Sequence, residues 1–343
     1  MSLTSTSTVT PAIRVRDLRK VFQVTRRQAG LRGALRSLVA PARSEIVALD
    51  GISLDMEPGE RLALIGPNGA VKSTAIKILT GILQPTSGTC EVLGLVPWRR
   101  REALARRLGT VFGQRPQLWY HLPAIETLRL LAAVHEIERR EAERRIGELA
   151  DAFDLGDLLD VPVRKLSLGQ RMRCEVAASL VYRPRLLLLD EPSIGLDPVA
   201  KHRIREMILL ASERDGVGVL VTSHDAGDIE ALCRRVVIVE HGRIVYRDEL
   251  RNLKRSYLSS KRVEVHFASP VTLESLPDGV RLVRQDHISA LLQVDTGRAS
   301  IDRVLGVLSR AGELADLVIS EPSLEEIIRA VFTGRQPGPE PAT

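Results

Sequence analysis

A glycine-rich loop that ends in lysine, serine and threonine is the pattern in this chain that most clearly predicts chemistry. The loop, Gly66–Thr74, reads GPNGAVKST and lies between a predicted strand, residues 61–65, and an apolar run typical of a helix. Backbone N–H groups at a helix N-terminus attract anions. We expect Lys72 to reach the β- and γ-phosphates of a nucleotide and the Ser73 hydroxyl to ligate Mg²⁺. A glycine-rich turn that binds no ligand is the alternative.

Val71 departs from the usual form of this loop, in which glycine stands directly before the lysine. Glycine at such a position commonly serves a positive φ or a close approach of the backbone to its ligand. A β-branched residue at positive φ is strained by about 1–3 kcal/mol. If φ is positive at Val71, this strain weakens nucleotide binding by roughly 5- to 150-fold and impairs activity.

Two carboxylates end a run of leucines that is typical of a buried strand. The segment Leu186–Glu191 reads LLLLDE, and successive residues of a strand point to opposite sides. Asp190 and Glu191 can therefore serve different roles. We expect Asp190 to hold Mg²⁺ and Glu191 to act as the general base on the attacking water. Without the phosphate loop, an acidic helix cap would be the favoured interpretation.

Two further polar residues follow predicted strands. His224 comes after the predicted strand at residues 217–222, and Gln114 comes after the one at residues 110–112. Because the carboxyl ends of parallel strands lie at the same edge of a sheet, we expect His224 to contact the γ-phosphate. Gln114 is expected to approach Mg²⁺ and the water. Either residue by itself would more often be structural.

The elements that must position these residues form a predicted α/β fold. Residues 11–240 alternate short apolar runs with helical patterns, which is typical of a mostly parallel sheet. The pattern between about 120 and 180 is almost wholly helical, which predicts a helical subdomain. A ferredoxin-like α+β pattern follows a polar connector. The predicted divisions are a flexible N-terminus (1–11), an α/β domain (12–247), a linker (248–261), a small α+β domain (262–333) and a disordered tail (334–343).

Composition excludes several classes of protein. No apolar run approaches the roughly 18–20 residues of a membrane-spanning helix, and the N-terminus has no secretory signal pattern, so we expect a cytoplasmic protein. The net charge is +6, but the basic residues are spread along the chain, and no nucleic-acid partner is expected. Cys90, Cys174 and Cys233 lie far apart, which predicts buried free thiols without a disulfide or zinc site.

The segment Leu166–Gln170, LSLGQ, is similar to the LSGGQ signature of ATP-binding cassette (ABC) transporters. With the motifs above in the same order, residues 12–245 resemble the nucleotide-binding subunit of such a transporter. The resemblance implies a P-loop ABC ATPase domain, with ATP and Mg²⁺ as cofactors and a signature that contacts ATP held by a second copy. The ATP-binding residues it implies are Phe22, Gly66, Pro67, Asn68, Gly69, Ala70, Val71, Lys72, Ser73, Thr74, Ser167, Gly169 and Gln170.

Further matches concern the dimer and the adenine. The segment SIGLD resembles the family's dimer-contacting loop and implies that Ser193, Gly195 and Asp197 touch a second ATP-binding subunit, expected to be identical. Phe22 stands where the family places an aromatic residue that stacks on adenine; a core phenylalanine is the alternative. Leu168 replaces the first glycine of the signature.

The resemblance also implies a transport function. Glu321–Ile327, EPSLEEI, is similar to the end of ABC-2-type exporter ATPases. We therefore expect an ATPase that powers a separate membrane permease from the cytoplasmic face of the cell membrane. Trp119 and Tyr120 follow Gln114, where the family forms a groove for the permease; core packing is the alternative. Two other functions stay open, a degenerate cassette weakened by Val71 and a soluble ABC protein that acts outside transport.

Overall fold

The structure, a computed structural model, describes residues 10–26, 42–67, 70–113, 116–256, 260–273 and 275–333. The chain forms two compact units, Met1–Arg247 and Asp248–Thr343. Over the described residues, none of the helices is both long and apolar enough to cross a membrane. Most of the predicted flexible N-terminus and all of the predicted tail lie outside the described residues.

A three-stranded antiparallel sheet lies in the first unit. Its strands are β1 (Ile13–Arg26), β2 (Ala42–Met56) and β4 (Ser87–Val92), with β1 in the middle. The sequence pattern predicts only a short strand at 13–15. The register between β1 and β2 shifts after Val15 and again after Leu18, and each shift breaks the alternation of apolar and polar residues that marks a strand.

A six-stranded sheet forms the second layer of this unit. Its strands are β3 (Arg61–Ile65), β5 (Leu108–Phe112), β6 (Leu186–Asp190), β7 (Gly218–Thr222), β8 (Arg235–Glu240) and β9 (Arg243–Glu249). The strand order is β5-β6-β7-β3-β8-β9, and the pairs from β5 to β8 are parallel. Parallel strands covered on both faces are continuously apolar, as in the buried leucines of β6. The predicted α/β class is confirmed.

Helix α1 (Ala70–Leu79) packs against both sheets. Its buried residues Ile76 and Ile78 belong to one core cluster with Leu49 of β2 and Leu188 of β6. The helix starts close to the end of β3, and Asn68 and Gly69, between the two, lie outside the described residues. The packing of α1 on both sheets therefore sets the position of its first turn, which contains Lys72 and Ser73.

The stretch between β5 and β6 is helical, as its sequence pattern predicts. A short helix, α2 (Arg101–Ala105), precedes β5. The helices that follow β5 are α3 (Ala124–Val134), α4 (Arg139–Phe153), α5 (Gly156–Leu159) and α6 (Leu168–Leu180), with a 3-10 turn at Val163–Lys165. The side chains of Leu128, Ile146 and Met172 are buried, and each comes from a different helix.

Two helices flank β7. Helix α7 (Pro198–Asp215) begins with proline at its first position, where the missing N–H costs nothing, and ends at Gly216 with φ 66°. Helix α8 (Ala226–Leu232) begins after the N-cap Asp225. Both helices therefore have fixed ends, which holds the loops after β6 and β7 in place.

The second unit is a four-stranded sheet with helices. Its elements are α9 (Leu250–Ser256), β10 (Ser260–Phe267), β11 (Val280–Gln285), β12 (Ser289–Asp295), α10 (Ile301–Ala311), β13 (Leu314–Ser320) and α11 (Leu324–Thr333). The sheet order is β11-β12-β10-β13. A capping box starts α11: the Ser323 N–H donates to the Glu326 side chain, and the Glu326 N–H donates to the Ser323 hydroxyl.

Two details of this unit differ from the sequence-based expectation. The predicted linker, residues 248–261, contains α9, in which Leu250 and Leu253 are buried at helical spacing. The basic residues around these two leucines make the segment look like a polar connector in the sequence. A ferredoxin-like fold needs a helix between its first two strands, whereas the described residues between β10 and β11 form none.

Candidate functional site

Lys72 lies almost fully buried in the first turn of α1. Its side chain is 4% exposed, and its ammonium group donates a hydrogen bond to the carbonyl oxygen of Gly66 at 2.9 Å. A Cβ on Gly66 would lie 2.8 Å from the carbonyl oxygen of Val239 on β8, so only glycine fits there. The first residue after β3 thus contacts the lysine directly, as expected where a backbone approaches phosphate closely.

Val71 has a helical backbone, so the positive φ on which the sequence-based argument for strain depends does not occur at this residue. It lies within α1 and is absent from the described residues with left-handed backbone. Its half-buried side chain packs against the core cluster and lines a small apolar cavity with Val15, Leu18 and Ala75. The condition for strain at Val71 is therefore not met, and the branched side chain packs on the core.

Asp190 and Ser73 lie together at the carboxyl end of the parallel sheet. Asp190 Oδ2 accepts a hydrogen bond from Ser73 Oγ at 3.3 Å, and its Oδ1 accepts one from Thr222 Oγ1 at 2.6 Å. Thr222 is the register partner of Asp190 on β7, and the sequence analysis missed it. The threonine leaves one carboxylate oxygen directed towards the serine.

Glu191 stands in a left-handed conformation directly after β6. Its φ is 55°, which costs a non-glycine residue of order 1–3 kcal/mol, and functional sites are one place where such strain clusters. Its N–H donates to the carbonyl oxygen of Thr222 at 3.0 Å. Gly113, a second residue that the sequence analysis missed, permits this turn, since a Cβ there would lie 2.3 Å from the carbonyl oxygen of Glu191.

The Glu191 carboxylate meets both Lys72 and His224. Its Oε1 lies 3.1 Å from Lys72 Nζ and 2.9 Å from His224 Nε2. Neither contact has the geometry of a hydrogen bond, so Oε1 is a buried oxygen without an aligned donor. Lys72 Nζ is 3.1 Å from His224 Nδ1. The strand ends thus bring together the lysine, glutamate and histidine that the sequence singles out.

This group of side chains fits a magnesium-bound triphosphate. Mg²⁺ prefers oxygen ligands and usually takes one or two from the protein, with water and phosphate supplying the rest. Ser73 and Asp190 offer such a pair, and no cluster of three or more metal-binding His, Cys, Asp or Glu residues occurs in the part of the chain that is described. The buried Lys72 supplies positive charge for phosphate, and Glu191 Oε1 can accept a proton from water.

Phe22 lies at the surface of the antiparallel sheet. Its side chain is half-buried, and the Lys20 ammonium lies 5.2 Å from the centre of its ring. This placement favours an accessible ring over the core phenylalanine that was the alternative. Gln114, the predicted ligand of Mg²⁺ and water, lies outside the described residues, as do Asn68 and Gly69.

The signature residues form the start of α6. Ser167 and Gln170 make a capping box: the Ser167 N–H donates to Gln170 Oε1 at 2.9 Å, and the Gln170 N–H donates to Ser167 Oγ at 3.2 Å. A Cβ on Gly169 would lie 2.7 Å from the Cβ of Ala200, so this glycine allows α6 to pack on α7. Both observations give the motif a local structural role, and its contact with ATP stays a prediction.

The loop between Glu191 and α7 contains the three predicted dimer contacts. Asp197 is the N-cap of α7, and its side chain accepts hydrogen bonds from the backbone N–H groups of Val199 and Ala200. Gly195 has φ 73° and is exposed. Ser193 is buried, and its hydroxyl donates to Asp228. The side chain of Ser193 therefore faces its own chain, and the contact of this loop with a second subunit stays a prediction.

Comparisons with known proteins agree on one family. A family profile described as ABC transporter matches residues 49–194. The daunorubicin/doxorubicin resistance ATP-binding protein DrrA of Streptomyces peucetius is 32% identical over 83% of this chain and 87% of its own length. The Nod factor export ATP-binding protein I of Sinorhizobium fredii is 35% identical over 69% of each chain. A solved ATP-binding subunit of an ABC transporter has TM-score 0.59 at 27% identity, over 72% of this chain and 93% of its own.

Proposed function

The chain belongs to the ABC transporter family of ATP-binding proteins, and from that premise we propose that it hydrolyses ATP to power export through a separate membrane permease. The observation that carries the proposal is the contact of Lys72, Glu191 and His224 beside the Ser73–Asp190 pair. A lysine, a magnesium pair and a base at one sheet edge are the parts that phosphoryl transfer to water requires.

Each side chain has a distinct role in this proposal. Lys72 holds the β- and γ-phosphates as a buried positive charge. Ser73 and Asp190 would hold Mg²⁺, which would supply positive charge to the phosphate oxygens. Glu191 accepts the proton of the attacking water at Oε1. The His224 backbone N–H donates to Glu191 Oε2 at 3.3 Å and orients the carboxylate, while the His224 side chain contacts the γ-phosphate.

The proposed direction of transport rests on the relatives. DrrA is named for drug resistance and the Sinorhizobium protein for Nod factor export, which supports an export role for this chain. Trp119 and Tyr120 are 50% and 54% exposed, so packing in the core does not account for them. Large exposed aromatic residues often anchor protein interfaces, and these two are our candidates for the permease contact at the cytoplasmic face of the membrane.

We assign the second ATP-binding subunit to an identical copy. Three apolar side chains near the starts of α6 and α7 are exposed, namely Leu168, Ile194 and Val199. A Cβ on Gly195 would lie 3.3 Å from Leu168 Cδ2, so the signature and the predicted dimer loop share one surface. An apolar surface beside these motifs supports burial against a partner, with Ser167, Gly169 and Gln170 facing its ATP.

The test compares Mg·ATP hydrolysis by the full chain and by Glu191→Gln. Loss of a general base lowers turnover by about 10²–10⁴-fold, and we expect the variant to retain ATP and to elute as a dimer in size-exclusion chromatography. Normal hydrolysis by Glu191→Gln would exclude Glu191 as the base. Co-purification with RNA or DNA, without a membrane protein, would favour the non-transport alternative.

A further inference from the structure

Asp228 is a buried carboxylate at which three elements meet. It lies in the first turn of α8 and is 1% exposed. Its Oδ2 accepts hydrogen bonds from the hydroxyls of Ser193 and Ser223, and its Oδ1 accepts one from Arg205 Nε at 2.7 Å. A buried charge is costly unless it is paired and hydrogen-bonded. Each of its oxygens is satisfied, so this arrangement is a fully connected polar network.

The network joins the two loops that carry the proposed base and the proposed histidine. Ser193 lies two residues after Glu191, and Ser223 directly precedes His224. One carboxylate oxygen, Asp228 Oδ2, therefore holds both loops within a single hydrogen-bonded unit. The 2.9 Å contact between Glu191 and His224 spans the same two loops.

The remaining partners fix Asp228 itself. Arg205 of α7 binds Asp228 and also donates to Asp225 Oδ1 at 2.9 Å. Asp225 caps α8, since its Oδ1 accepts the backbone N–H of Asp228 at 3.2 Å. Lys201 of α7 forms an ion pair with the other oxygen of Asp225. Helix α7 thus holds the start of α8 from one side, and the Asp228 carboxylate has little freedom to move.

We propose that Asp228 is a positioning residue for ATP hydrolysis, which sets the distance between Glu191 and His224 through Ser193 and Ser223. The inference rests on the proposed ATPase function and assigns no contact with nucleotide to Asp228. In the described part of the phosphate loop, no residue forms a hydrogen bond with Asp228, Ser193 or Ser223. Loss of the network should therefore lower turnover far more than nucleotide affinity, because His224 is the one side chain on these two loops that is proposed to contact the nucleotide.

The expected size of the effect follows from the cost of misplacing a reacting group. A displacement of about 1 Å at a catalytic group can cost about 10²-fold in rate. Asp228→Ala frees both loops, and we expect kcat to fall by about 10- to 100-fold. Ser193→Ala and Ser223→Ala each free one loop and should cost less, about three- to tenfold. Asp228→Asn keeps an acceptor for Arg205 and a polar link to the serines, and should retain most of the turnover.

A matched control is available among the buried serines. Ser179 is 1% exposed, and its hydroxyl donates to the carbonyl oxygen of Val176 in its own helix, at 2.7 Å. Ser179→Ala removes the same atom from a similar environment but touches neither catalytic loop. We expect it to keep the kcat of the wild-type chain.

The experiment measures kcat, KM, the dissociation constant of a fluorescent ATP analogue and thermal unfolding for each full-length variant. A fall in kcat that clearly exceeds the change in nucleotide affinity in Asp228→Ala and the two loop serine variants, with recovery in Asp228→Asn, supports the positioning role. Wild-type kcat in the folded alanine variants, or an equal loss in Ser179→Ala, overturns it while the proposed function stands. A wild-type chain that binds Mg·ATP but does not hydrolyse it overturns the proposed function first.

Discussion

Val71→Gly restores the usual phosphate-loop sequence, and the structure predicts that it will destabilise the protein without improving ATP binding. Val71 already has a helical backbone, so glycine relieves no strain at this position. Its half-buried side chain packs on the core, and the loss of half of a valine's burial costs about 0.8 kcal/mol. The lower helix propensity of glycine adds about 0.4 kcal/mol. We expect a total loss near 1.2 kcal/mol.

Two measurements and one matched variant test this prediction. Chemical unfolding gives the change in free energy, and a shift of about 2–5 °C in Tm is expected for a domain of this size. Titration with a fluorescent ATP analogue should give the same affinity within about twofold for wild type, Val71→Gly and Val71→Ala. Alanine removes the packing but keeps helix propensity. Affinity that rises fivefold or more in Val71→Gly alone would refute the reasoning, since only backbone freedom separates the two variants.

Two further predictions concern buried ionisable groups. Burial raises the pKa of Glu175, opposed by the N–H groups of Gln117 and Leu118. The folded state therefore binds more protons than the unfolded state just above the ordinary pKa, and the free energy of unfolding falls as pH rises through that window. Other carboxyl groups titrate in the same range, so the test compares two chains by chemical unfolding. The unfolding free energy of wild type minus that of Glu175→Gln should fall as pH rises through this window; a difference that does not change with pH contradicts the assignment. Burial raises the pKa of the Cys90 and Cys174 thiols to about 12, so a thiol reagent at about pH 8 should label them only after denaturation, and rapid labelling of the native chain would contradict their burial.

The sequence predicts the site residues whose positions depend on where the parallel strands end. Lys72, Glu191 and His224 follow parallel strands, and Asp190 ends one. Parallel strands end at one edge of the sheet, so the meeting of these residues could be inferred from their order along the chain. Thr222 could not be found this way, because its bond to Asp190 depends on the register of β6 and β7.

Other features depend on packing that no local pattern records. Val71 has a helical φ because α1 begins one residue before it. The sequence motif, which usually has glycine at this position, cannot show where the helix begins. Asp228 gains its partners from two loops and from α7, which are distant in sequence. Gly169 matches the signature motif, but the structure shows a second reason for glycine there: a Cβ would collide with the side chain of Ala200.

The central claim is that Lys72 and the loop from Gly66 hold the phosphates of Mg·ATP beside Glu191. Calorimetric titration of the full chain with Mg·ATP, in parallel with Lys72→Ala, tests it most directly. A hydrogen bond from a charged donor contributes about 1.5–3 kcal/mol. We predict saturable binding by the wild-type chain and a loss of affinity of about tenfold or more in Lys72→Ala. Equal affinity in the two chains, or no saturation in the wild type, would contradict the claim.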